Sequence, residues 1–183
     1  MIAASTLRME RTFRAPAQRV FDAWCRAEVI RRWWQAELGW ETSAAEVDLR
    51  VGGVVRVVMR DPDKDVEHGG GGRYTEIEPP RRLAFTWNWD GDGRGTLIEI
   101  DFEENDGVTT VRFTHSGLSD EEAVRSHEYG WGNILDSLGR TLQAAGPHRY
   151  RLPRPATRAG GDHRRSADGE RQGRVCRGVQ PAL

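Results

Sequence analysis

The spacing of apolar residues changes for the last time at Ser116-Gly117, and this constrains the fold more than any other feature of the sequence. Before that point most runs alternate with a period of two, as strands do; after it apolar residues recur every three to four positions, as on one face of a helix. Leu7, Met9, Arg11 and Phe13 alternate with Arg8, Glu10, Thr12 and Arg14 and predict a first strand. Pro16 suits the first turn of a helix, and Ala17, Val20, Phe21 and Trp24 follow at helical spacing. A second short helix is predicted over Glu28 to Trp34.

Six strands joined by short turns come next. Ala45, Val47 and Leu49 alternate up to Gly52-Gly53, and Val54 to Met59 stops at the turn Asp61-Pro62-Asp63. Gly69 to Gly72 reads as a flexible hairpin loop ahead of a strand over Arg73 to Ile77. Leu83, Phe85, Trp87 and Trp89 form the clearest alternating face. Leu97 to Phe102 and Val108 to His115 flank the hairpin signal Asn105-Asp106-Gly107. In the final helix Ser119 is the expected N-cap, with Glu122 completing a capping box. Ala123, His127, Trp131, Ile134, Leu138 and Leu142 mark its inward stripe, and Gly146-Pro147 is its expected end.

Short turns between consecutive strands imply antiparallel pairing. The order therefore predicts an α+β fold: a curved, seven-stranded antiparallel sheet wrapped around a long C-terminal helix, with two short helices after strand one. A curled sheet does not lie flush on a helix, so a cavity is expected between them, closed by the short helices.

Composition narrows the partners. The chain has 183 residues, and nine arginines against three acids fall from Pro147 onward. Residues 1–146 are thus predicted as one acidic domain and 147–183 as a basic, disordered tail with too little apolar surface to order itself. An acidic domain argues against nucleic acid on its folded surface. Cys25 and Cys176 lie far apart and suggest a reducing compartment. No apolar run is long enough for a membrane span, and the Met1 to Thr6 start lacks the regions of a secretory signal. A cytoplasmic location is expected. Gly69 to Gly72 lacks the residues of a phosphate loop, the five histidines lack zinc-type spacing, and neither a metal nor another cofactor is expected.

Several stretches resemble a known family when taken in order: Phe13 to Trp24, Trp33-Trp34, Asp48 to Gly53, Arg73 to Leu83, Phe85-Thr86-Trp87, Thr114 to Leu118, and Gly130-Trp131 with Leu138. The family is that of homologues of the activator of heat-shock protein 90 ATPase, within the START and Bet v I-like (SRPBCC) superfamily of helix-grip domains. The likeness spans residues 7 to 145. It implies the helix-grip fold, bacterial members of undefined role, and a homodimer as an option. The eukaryotic co-chaperone that names the family carries a further amino-terminal domain with no counterpart in this sequence, so chaperone activation is not carried over.

Seven tryptophans from separate elements suggest an interior lined by rings, and so a guest that is a small hydrophobic molecule. The candidate ligand-binding set is Phe21, Trp24, Trp33 and Trp34 at one end, Tyr74, Phe85, Trp87, Trp89, Ile98, Ile100, Phe113 and His115 on the sheet, and His127, Trp131 and Leu135 on the helix. Most are core by residue type. His115 and His127 are the candidate acid or base residues of an alternative, enzymatic reading as a cyclase, dehydratase or hydrolase on a hydrophobic substrate. Asp101, Glu128 and Tyr74 are their candidate partners. A stress-related co-chaperone module is the third reading. A binder without catalysis is the expectation preferred here.

Overall fold

The computed structural model describes residues 5–93 and 95–144, and its strands follow the predicted order, although the last of them continues through Ser116-Gly117 to Leu118. Strand β1 (Ser5–Phe13) leads into helices α1 (Ala17–Cys25) and α2 (Ala27–Ile30). Six strands follow: β2 (Glu41–Val47), β3 (Val54–Asp61), β4 (Val66–Glu78), β5 (Arg82–Trp89), β6 (Thr96–Asn105) and β7 (Val108–Leu118). Helix α3 (Glu121–Ala144) comes last.

The strands form one sheet in the order β1-β7-β6-β5-β4-β3-β2, antiparallel at every pairing. The meander from β2 to β7 is extended by β1, whose Leu7, Met9 and Arg11 stand opposite His115, Phe113 and Val111. The sheet stays open, with β1 and β2 at its edges. Alternation sends Val55, Val57 and Met59 inward from β3, Leu83, Phe85 and Trp87 from β5, and Val111, Phe113 and His115 from β7. Helix α3 packs on β1 and β7, burying Trp131, Ile134, Leu135, Leu138 and Leu142. Helix α1 reaches the same core, where Phe21 meets Phe102 edge-on at 5.5 Å. This is the α+β helix-grip arrangement the sequence predicts.

Four local expectations are corrected. Gly69 to Gly72 is not a loop but the middle of β4, paired with β3 on one side, while Gly70 and Gly71 pair with β5 on the other. A Cβ on Gly70 would lie 2.6 Å from Trp87 Cζ2, so the indole lies where a side chain would be. The glycines permit close packing rather than flexibility. The second helix is a single turn ending at Ile30; Trp33 and Trp34 follow it in irregular chain. Leu49 lies past the end of β2 and is 44 % exposed. Finally, Asp120 rather than Ser119 caps α3: its Oδ1 accepts the Ala123 amide at 2.8 Å, while Ser119 Oγ donates to Asp120 Oδ2. Asp120 wins because a carboxylate accepts more strongly than a hydroxyl and carries charge suited to the helix dipole. The predicted end of α3 at Gly146-Pro147, the domain boundary there, Cys176 and the basic tail all lie outside the described residues.

Candidate functional site

The middle of the sheet–helix interface is filled by side chains, and a tryptophan-lined cavity lies toward one end. Phe21, Trp24, Trp33, Phe85, Ile98, Ile100, Phe113 and Leu135 are each no more than 1 % exposed. They interlock: Trp24 meets Trp33 and Trp34 at steep angles, 4.8 and 5.7 Å between centroids, and Phe113 lies 4.4 Å from Trp131. Tyr74 is buried against Phe85 at 5.8 Å. None of these nine lines the cavity; they form the packed layer beneath it.

The cavity, about 250 Å³, opens between β5, α3 and the segment after α2. Of the residues predicted as ligand-binding, Trp34, Trp87, Trp89, His127 and Trp131 line it. Trp34, Trp87 and Trp131 make its floor, with Trp34 stacked on Trp87 at 5.4 Å and 30° and set against Trp131 at 5.2 Å and 70°. Trp89 stands at 87° to Trp87. The remaining wall comes from Ile134, on the predicted inward stripe of α3, and from residues the sequence reading left out: Ala36, Glu37 and Trp40 after α2, His68 on β4, and Ser126 and Gly130 on α3. Trp40 and His68 lie flat on each other, 4.6 Å apart at 5°. Trp40 carried a signal, as one of the seven tryptophans and six residues after Trp34. Glu37 and His68 carried none, because neither sits in a periodic run.

Local chemistry fixes these walls. Asn133 of α3 donates from Nδ2 to the Ala36 carbonyl at 2.8 Å, tying the segment after α2 to the helix. Gly130 faces Ala36 across this contact, where a Cβ would sit in ordinary van der Waals contact with Ala36 Cβ at 3.6 Å. Thr42 Oγ1 donates to the Trp34 carbonyl at 2.5 Å, anchoring the floor to β2.

The two histidines adopt defined tautomers. Trp131 Nε1–H donates to His115 Nδ1 at 3.2 Å, so His115 carries its proton on Nε2 and donates it to Thr96 Oγ1 at 2.8 Å. Thr96 Oγ1 passes the chain on to the Trp87 carbonyl at 2.7 Å. His115 is wholly buried, and that burial, with His127 nearby, pushes its pKa down to about 3. His127 donates from Nδ1 to the Ala123 carbonyl at 2.8 Å and accepts the Trp89 indole proton on Nε2 at a long 3.4 Å. Every nitrogen of the two rings is engaged by the protein, and His115 does not reach the cavity surface.

Other candidates for chemistry stand apart. Arg56 points to the outer side of β3 and clasps Asp90 through two bonds of 2.8 and 2.5 Å. Asp101 is engaged by Arg82 at 2.8 Å, and Glu128 is exposed. Burial, then Asp22, pushes the Cys25 thiol well above the usual range, and burial does the same to Tyr74. Among the described residues no group of three histidine, cysteine, aspartate or glutamate side chains is gathered as a metal site, and no helix is long and apolar enough to cross a membrane.

A sequence model of the family described as "Activator of Hsp90 ATPase homolog 1-like protein" matches residues 14–143. Among curated proteins none matches the chain. Solved structures do. The AHSA1-like protein from Aeromonas hydrophila is 28 % identical, covers 81 % of this chain and 99 % of its own, and superposes with a TM-score of 0.69. The AHSA1 protein from Silicibacter pomeroyi is 26 % identical over 78 % of this chain and 100 % of its own, at 0.69. A protein from Chromobacterium violaceum is 25 % identical over 74 % and 96 %, at 0.68.

Proposed function

This chain belongs to the Activator of Hsp90 ATPase homolog 1-like family, and from that premise we propose that it is a single-domain helix-grip protein that binds a small apolar or aromatic molecule without transforming it. The family's fold is compatible with ligand binding. The observation that carries the reading is the cavity of about 250 Å³ floored by Trp34, Trp87 and Trp131. An apolar cavity of roughly 150 Å³ already holds benzene, and sites for drug-sized ligands begin near 300 Å³. The guest is therefore of one or two fused rings, or an aliphatic body of equal bulk. The engaged nitrogens of His115 and His127 support binding over acid–base catalysis, since neither offers a lone pair or proton to a guest. Its place would be the cytoplasm.

Calorimetric titration with indole, with native mass spectrometry of freshly purified protein, tests this. Saturable one-to-one binding is expected. Ser126→Trp, at an exposed position of α3 that lines the cavity, fills its mouth and should abolish binding with the fold intact. Unchanged binding in that variant, or none in the parent, overturns the proposal.

A further inference from the structure

Resting on that reading, we infer that the pocket selects an organic cation with a methylated ammonium head over neutral or anionic molecules of the same shape. The charge inventory is the first reason. The chain carries 27 Lys and Arg, yet among the described residues none of them lines this cavity, and the one formally charged side chain that does is Glu37. Glu37 is half-buried and makes no ion pair among the described residues, whereas 14 such pairs form elsewhere. It is an acidic side chain facing a partly apolar space with no counter-ion among the described residues.

The second reason is ring geometry. The indoles bound the cavity as an uneven box: Trp34 and Trp87 lie nearly stacked at 30°, while the pairs Trp87–Trp89, Trp34–Trp131 and Trp87–Trp131 meet at 87°, 70° and 64°. Indole faces carry the negative side of the ring quadrupole and attract cations. Two imidazoles also line the cavity, His68 stacked on Trp40 and His127 engaged through both ring nitrogens by the protein. The unpaired indole N–H groups of Trp34 and Trp87 are fully buried, so an anion gains nothing from them. A methylated ammonium suits such a box because it spreads its charge over methyl groups and has no N–H bonds that need replacing.

Choline and its uncharged isostere 3,3-dimethylbutan-1-ol separate the alternatives when titrated calorimetrically into the full chain beside indole. Choline should bind about tenfold more tightly than the alcohol, the scale of a partly desolvated cation–π site. Glu37→Gln should weaken choline about three- to tenfold and leave the alcohol unchanged. Equal affinity for the isosteres, or an equal loss for both in the variant, overturns the charge preference while indole binding upholds the apolar pocket. Absence of binding by all three overturns both.

Discussion

At the scale of single residues, His115 shows how the interior fixes chemistry. Its pKa is depressed by burial first and by nearby His127 second, while Trp131 and Thr96 take up its two ring nitrogens. The unfolded chain takes up a proton near the ordinary value of 6.5, and the folded chain does not until about 3. Within that window the unfolded state binds more protons, so stability rises with pH and is lost as pH falls. The loss approaches about 1.4 kcal/mol per pH unit. Urea unfolding between pH 6.5 and 5, above the range where most carboxylates titrate, should show this slope, and His115→Gln should remove most of it. An unchanged slope would mean that His115 is protonated in the fold. The sequence placed His115 on an inward phase of its strand, which holds. It did not reveal that both ring nitrogens are taken, because Trp131 and Thr96 lie 16 and 19 residues away and no local pattern links them.

At the scale of elements, β4 is where local reading failed and packing decided. Four consecutive glycines carry no alternation and have low strand propensity, so they read as a loop. They lie in a strand because Trp87 covers Gly70 and the β3 and β5 backbones crowd Gly71 and Gly72, leaving no space for side chains. Gly70→Ala should therefore cost more than the few tenths of a kcal/mol usual at a surface site, about 1–3 kcal/mol, since overpacking must displace a buried indole. Chemical denaturation gives the value, and a neutral effect would place the Trp87 ring elsewhere. The start of α3 shows the opposite bias: a sequence rule for capping boxes chose Ser119, one residue early, although the helix itself was plain from its apolar stripe. Asp120→Ala should cost about 1 kcal/mol and Ser119→Ala much less, a difference that paired thermal melts resolve.

At the scale of the whole molecule, strand order, pairing sense and the closing helix were readable because each rests on a repeated pattern and on short turns. The cavity was readable only in part: Trp34, Trp87, Trp89, His127 and Trp131 were among the predicted residues, but the rest of the wall combines a non-periodic segment after α2, one residue of β4 and other positions of a helix more than 50 residues further on. That wall also couples binding to folding, since α3 is tied to the segment after α2 by Asn133. A guest at one hundred times its dissociation constant should stabilise the domain by about 2.7 kcal/mol, seen as a rise in melting temperature that Ser126→Trp no longer shows. The floor indoles have one more consequence. Trp24, Trp33, Trp34, Trp87 and Trp131 form an unbroken chain with centroids 4.8 to 6.4 Å apart. Chromophores this close can pass excitation to one another, so a guest resting on Trp34, Trp87 and Trp131 should alter the fluorescence of rings it does not touch.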